Sequence, residues 1–208
     1  MIKTRTNNPA RTMSDIIAVA TTEFADKGLS GARIDTIADQ TQTSKRMIYY
    51  YFGSKEGLYI AVLEDSYRRV RSIEASLHLE DIDPEAALKK LVSFSVDYHW
   101  SNPDFVRLIS NENIHYGEFA KQSKQIKSLN TPAVNGLKAV YLRGVDAKVF
   151  REGVDIVDLH MSISAMSFYN VSNQHTFGNA FSYDLNKPKD LDKRRKSIVE
   201  MVLRFVKP

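Results

Sequence analysis

Ser44-Lys45-Arg46-Met47-Ile48-Tyr49-Tyr50-Tyr51-Phe52-Gly53-Ser54-Lys55-Glu56-Gly57-Leu58 decides the fold of this 208-residue chain. It predicts a short two-faced helix, a glycine stop and a second helix that opens at a serine cap. At about 100° per residue, Lys45, Arg46, Tyr49 and Tyr50 share one arc of the helical wheel. Met47, Ile48, Tyr51 and Phe52 fill the opposite arc. A helix this short needs tertiary packing to persist, and Ile48 with Phe52 supplies it. The other face is left cationic and aromatic, a surface suited to nucleic acid.

Helical periods continue on both sides of this stretch. Upstream, the first helix is predicted to open near Ser14 and to bury Ile16, Ile17, Ala20 and Phe24. Lys27-Gly28 closes it. A second short helix from Ala32-Arg33 turns Ile34, Ile37 and Ala38 inward, and Thr41-Gln42-Thr43 is the turn before Ser44. Downstream, Ser54 caps a fourth helix reaching about His78, and Pro84 starts a fifth that ends at Asn102-Pro103. Further helices are expected from Phe105 to Ile114, as a pair from Ala120 to Arg143 with Pro132 as a start or kink, and from Asp155 to Gln174. Residues 175–190 read as a loop or irregular arm, and Leu191 to Val206 as the last helix. Six prolines and nine glycines punctuate the chain, with no sustained period of two. The expected fold is all-α, with about nine helices.

Composition narrows the function. With no cysteine, disulfide staples, thiolate metal sites and a cysteine nucleophile are excluded. The formal charge of +4 permits an anionic partner without requiring one, so the placement of the charges matters more. The opening residues hold no apolar run of the signal-peptide kind, and no segment approaches the ~20 apolar residues of a membrane span. A soluble cytoplasmic protein is expected. The histidines do not assemble a ligand set, and Asp155 and Asp158 suit a helix start better than a metal. No nucleophile elbow, phosphate-cradling loop or catalytic carboxylate pair is present. No enzymatic activity, cofactor or metal is therefore expected.

A major groove about 12 Å wide admits one helix, and residues in its first turns touch base edges. Lys45 and Arg46 occupy those turns, and Arg46 suits a bidentate contact to guanine. Tyr49 and Tyr51 offer phenolic hydroxyls to phosphates. Lys55 stands beside the free N–H groups of a helix start, a natural phosphate site. Arg33 and Thr36 are placed to grip the backbone across the groove, and an arm with Lys3, Arg5 and Arg11 to reach a minor groove.

Residues 14–62 resemble the DNA-binding domain of TetR-family (tetracycline-repressor-like) bacterial regulators. The resemblance rests on Phe24-Ala25-Asp26-Lys27-Gly28, on Ile37-Ala38 and on Ser44, Ile48, Tyr49, Tyr51, Phe52, Ser54, Lys55, Glu56 and Leu58 at their spacing. It implies a homodimer, one DNA-reading helix per subunit and a divergent helical ligand-binding and dimerisation domain. It places the recognition contacts on Lys45, Arg46, Tyr49, Tyr50 and Tyr51, and the phosphate clamp on Lys55; the capping Ser44 is expected among the DNA-binding residues as well. The domains expected are residues 1–60 for DNA and 61–208 for ligand and dimer. One departure is Gln42, where the family usually has glycine in the turn.

Beyond about residue 65 only residue patterns guide the reading. Met161 to Phe168 alternates small and bulky residues, and Ile198, Met201, Val202 and Phe205 form a stripe; both are read as dimer surfaces. For an effector pocket, Trp100, Phe105, Tyr141, Phe168 and Tyr169 supply apolar walls. Asn113, Ser167, Asn170, Asn173 and Gln174 supply hydrogen-bonding groups. The expected function is a ligand-responsive transcriptional regulator, a repressor, that binds a palindromic operator as a homodimer. The rivals are a helical adaptor and a helical enzyme, each with a degenerate DNA-binding module.

Overall fold

The computed structural model describes residues 8–184 and 187–208. Among them are ten α-helices and no strand, so the all-α expectation holds with one helix more than expected. They are α1 (Pro9–Gly31), α2 (Ile34–Thr41), α3 (Lys45–Phe52), α4 (Lys55–Ala75), α5 (Pro84–Ser101), α6 (Pro103–Ile114), α7 (Ile126–Asp146), α8 (Ile156–Ser172), α9 (Gln174–Phe181) and α10 (Pro188–Val206). The chain forms two compact units. One holds the residues up to Ser66 and Arg107–Ile126; the other holds Tyr67–Val106 and Lys127–Pro208.

The first unit is built on the predicted stripes. Ile16, Ala20, Phe24, Ile34, Ile37, Ala38, Ile48 and Leu58 share one buried core. Ile48 is fully buried and Phe52 packs half-buried beside it, so α3 is clamped as its pattern requires. The Ser44 hydroxyl accepts from the Met47 N–H at 3.2 Å and the Ser54 hydroxyl from the Gly57 N–H at 3.0 Å. Gly53 stops α3 at φ 76°. Gly57 lets α4 start against the end of α3, because a Cβ there would lie 2.0 Å from the Phe52 carbonyl oxygen.

Gln42 adopts the left-handed conformation, φ 52° and ψ 37°, and its N–H closes α2 onto Ala38 and Asp39. The turn therefore keeps the geometry that glycine favours and carries the strain. That strain is about 1–2 kcal/mol, against which glycine's extra unfolded-state entropy of about 0.5–1 kcal/mol must be set. Gln42→Gly is expected to stabilise the protein, by up to about 1.5 kcal/mol. A urea-unfolding midpoint that moves down instead of up overturns this.

The second unit packs Leu88, Leu91, Val92, Val96, Leu137, Leu159, Ile163, Ile198 and Val202 into its own core. The α10 stripe therefore divides: Ile198 and Val202 are intrachain core, whereas Met201 and Phe205 are exposed.

Several boundaries differ from the sequence reading. α1 opens at Pro9, not Ser14, because Asn8 caps it through the Arg11 N–H at 3.2 Å and Pro9 suits the first helical position. Arg11 thus belongs to a helix, not to an arm. α4 ends at Ala75, where the Ser76 hydroxyl takes the Ile73 carbonyl at 2.7 Å, and His78 then turns left-handed. The expected helix pair at 120–143 is a 3₁₀ turn (Ala120–Gln122) and one helix that runs through Pro132. Ser123 sets its start by accepting from the Gln125 and Ile126 N–H groups, both at 3.1 Å. The expected arm at 175–190 contains α9, stiffened by Phe177 against Phe181 at 4.7 Å between centroids.

Candidate functional site

The exposed face of α3 carries the predicted DNA-reading side chains. Ser44, Lys45, Arg46, Tyr49 and Tyr50 are exposed, Tyr50 at 77%. Tyr51 is half-buried; it packs edge-on against Tyr50 at 5.4 Å and Phe52 at 6.3 Å. Arg33 precedes α2 and is exposed, while Thr36 is half-buried in its first turn. The Lys55 ammonium stands at the start of α4, 3.4 Å from the Ser30 carbonyl. Lys3 and Arg5 lie outside the described residues.

The two cations of α3 are not equivalent. Lys45 is paired with Asp35 of α2, whereas Arg46 has no ion-pair partner among the described residues. An exposed pair of this kind is worth at most about 1 kcal/mol, so DNA phosphate can compete for the ammonium. Asp35→Asn removes both the competitor and a repelling charge. Affinity for DNA of any sequence is expected to rise about two- to tenfold, with a steeper salt dependence. Titration of random duplex at two salt concentrations checks this; an unchanged affinity means that Lys45 does not face phosphate.

Glu23 is a residue the sequence reading missed. Arg33 has no capping side chain to give α2, and Glu23 takes that place from α1. Its buried carboxylate accepts from the Arg33 N–H at 2.9 Å and from the Lys27 ammonium at 2.9 Å. Burial alone would raise its pKa, but the Lys27 and Arg33 hydrogen bonds outweigh it and hold the carboxyl below its ordinary value. The usable signal was the Glu23/Lys27 spacing beside a helix start that lacks a cap.

The predicted effector residues do not gather at one place. Asn113 is exposed and donates to the Ile109 carbonyl at 2.8 Å. Tyr141 is buried, its hydroxyl donating to the Arg151 carbonyl at 2.7 Å and accepting from the Val154 N–H at 3.1 Å. Asn170 accepts from Arg194 at 3.0 Å and donates to the Met166 carbonyl. Asn173 joins α8 to α9, where Gln174 begins. Trp100 is half-buried, and Phe105 is buried, stacked on His99 at 5.8 Å.

Ser167 fixes a tautomer. Its hydroxyl lies 2.8 Å from the Ile163 carbonyl and 3.1 Å from the Ser164 carbonyl, both of which only accept. Its single hydrogen goes to one of them, so the His99 Nδ1–H donates to the Ser167 oxygen across 3.0 Å. Burial, with a smaller contribution from the Arg71 guanidinium, lowers the His99 pKa to about 4. The ring is therefore neutral near pH 7, and Nε2 is an acceptor.

His99 helps to line a cavity of about 40 Å³ in the second unit, bounded by α4, α5, α7 and α8. Arg71, Glu74, Ser95, Tyr98, His160 and Ser164 are its other polar lining. None of the predicted effector residues lines it. Elsewhere, His78, Glu80 and Asp81 bring potential ligand atoms within 4.8 Å of one another, all three residues exposed.

A clamped two-faced α3, left-handed turn and basic helix start are the arrangement of a helix-turn-helix reader. Two family descriptions match the chain: bacterial regulatory proteins of the tetR family over residues 16–62, and the tetracyclin repressor-like C-terminal domain over residues 84–202. This chain belongs to the TetR family. It is a DNA-binding transcriptional regulator of the helix-turn-helix type. The TetR-family relative HTH-type transcriptional repressor NicS of Pseudomonas putida is 36% identical over 181 residues, 87% of this chain and 85% of that one. The crystal structure of the putative transcriptional regulator SCO4942 of Streptomyces coelicolor aligns at TM-score 0.69 and 25% identity, covering 95% of this chain and 99% of that one. FadR of Bacillus subtilis, solved with stearoyl-CoA, shares the fold at TM-score 0.72 and 18% identity, covering 91% and 97%. No described helix is long and apolar enough to cross a membrane.

Proposed function

We propose that this TetR-family regulator is a cytoplasmic repressor that binds an inverted-repeat operator as a homodimer and leaves it when a small molecule binds. The observation that carries the DNA half is the rigid α3, with Ile48 fully buried beneath an exposed Lys45-Arg46-Tyr49-Tyr50 face. In this reading Arg46 reads a base, and Lys45, Tyr49, Tyr50 and Tyr51 set the register. Ser44 caps the helix and contacts phosphate. Lys55, Arg33 and Thr36 hold the backbone. Residues 1–60 read DNA, and residues 61–208 bind effector and the second subunit.

The dimer is supported by exposed apolar residues. Val157, Met161, Ala165 and Tyr169 repeat every four residues on α8, with Met161 at 61% exposure. Met201 and Phe205 are the exposed half of the α10 stripe. Single recognition helices bury too little surface for a specific site, and two-fold pairing supplies the second. The effector acts only through its unequal affinity for the DNA-competent and DNA-incompetent dimers.

Selection of bound duplex from a random pool tests the reading. Recovery of an inverted repeat with half-sites about one helical turn apart, or a multiple of it, supports it. Enrichment of a single asymmetric site, or of nothing, overturns it.

A further inference from the structure

Arg71 and Glu74 line two spaces at once. One is the cavity of about 40 Å³ among α4, α5, α7 and α8. The other is a groove of about 280 Å³ along α4 and α7, whose apolar bed includes Pro132, Ala133, Gly136 and Val140. The ion pair between the Arg71 guanidinium and the Glu74 carboxylate is thus the partition between groove and cavity. Asn130 holds the Arg71 Nε at 3.1 Å, which fixes the fork in place. Arg143, the other guanidinium of the groove, is taken up by the carbonyls of Leu79, Glu80 and Ile82 at 2.6 to 3.1 Å.

We propose that this cavity is the effector site, that the groove is its entrance, and that the effector is a small planar carboxylate which displaces Glu74 from Arg71. This rests on the ligand-responsive regulator reading and names the site and the ligand class. Three features of the site lead to it. The guanidinium is a planar fork matched to carboxylate, and it already holds one. The resident carboxylate is a weak competitor, because burial pushes the Glu74 carboxyl up despite Arg71, so it takes a proton readily once displaced. The remaining walls combine the rings of Phe94, Tyr98 and the neutral His99 and His160 with the aliphatic Val70, Leu91, Leu137 and Ile163 and the hydroxyls of Ser95 and Ser164. The His99 Nε2 is an acceptor, suited to a hydroxyl or ring N–H on the ligand.

Size sets a second limit. A cavity of about 40 Å³ holds about three waters, roughly 100 Å³ of liquid, the bulk of a single ring with its carboxylate. A long acyl chain does not fit this space.

The test is calorimetric titration of the full chain with benzoate, its neutral counterpart benzamide and its cationic counterpart benzylamine. Benzoate is expected to bind Glu74→Gln about tenfold more tightly than the native chain, and Arg71→Gln about tenfold more weakly. Benzamide is expected to bind all three proteins alike. Where Arg71→Gln fails to fold, because Glu74 is then buried unpaired, the double variant with Glu74→Gln replaces it, and its benzoate affinity is expected to fall below that of Glu74→Gln. Equal benzoate affinities in all proteins, no benzoate binding to Glu74→Gln, or tighter binding of benzylamine than of benzoate overturns the proposal. Gel shifts of the ligand-free proteins on pool-selected DNA separate the two levels. Native DNA binding without these benzoate effects removes the ligand class alone, whereas absent DNA binding removes the regulator reading.

Discussion

Arg46→Ala is expected to cost the protein most of its preference for its own operator. A well-formed bidentate guanine contact contributes about 1–3 kcal/mol of discrimination, and a two-fold dimer makes it twice. The loss is then about 2–6 kcal/mol, roughly thirtyfold to twenty-thousandfold. It should fall at one position of each half-site, with the other positions still read. Arg46 is suited to this because it is exposed in the first turn of α3 and is held by no ion pair among the described residues. Lys55→Ala supplies the contrast. Its ammonium sits at a helix start, where phosphate meets free N–H groups, so every sequence should weaken alike. Removing two such contacts per dimer lowers the salt slope by about two. Binding measured across single-base operator variants and across salt separates the two behaviours. Small, equal effects from both substitutions sink the assignment.

The contrast follows from what was legible in the sequence. α3 could be read because its evidence is local: a capping serine, a glycine stop and eight residues whose apolar positions fall on one arc. Ile48 was recognisable as the clamp from its spacing alone, and the structure buries it completely. Pairing partners were not legible. That Lys45 meets Asp35, or that Glu23 caps a helix ten residues away, depends on how α1, α2 and α3 pack. The start of α1 was misplaced as well, at Ser14 and not at Asn8. Ser14 and Asn8 are both capping residues, and only the Asn8-Pro9 pair sets the start of α1.

The second unit was legible as helices but not as a site. Its cavity draws on four separate helices, and Arg71, Glu74, His99 and His160 share no local pattern. The polar stripe of α8 pointed instead at Ser167 and Asn170. Both are buried, and their hydrogen bonds run to α8 carbonyls, His99 and Arg194. A buried polar side chain needs a partner, and here neighbouring helices supply it. The α9 segment was hidden for a different reason: Asn173 both ends α8 and starts α9, so a capping residue there reads as the end of one helix and not the start of the next.

Introducing Met161→Glu together with Met201→Glu is expected to abolish the dimer and, with it, tight binding to the whole operator. Both residues are exposed in the single subunit, at 61% and 43%, so the fold of the subunit should change by no more than about 0.5 kcal/mol. In a two-fold interface each substitution appears twice. Burying an unpaired carboxylate costs about 3–5 kcal/mol, so four of them per dimer cost about 12–20 kcal/mol, more than the ~8–12 kcal/mol that holds a micromolar-to-nanomolar dimer together. The separated subunits keep an intact α3 and therefore keep half-site affinity. What they lose is the joining of two half-sites in one event, and affinity for the inverted repeat should fall about a hundredfold or more. Sedimentation and gel shift on whole and half operators read the two effects separately. A monomer that still prefers the whole operator would place the symmetry in the DNA alone. A variant that stays dimeric would move the interface away from these faces of α8 and α10. A dimer lost with half-site binding intact is the outcome expected if those faces are where two copies meet.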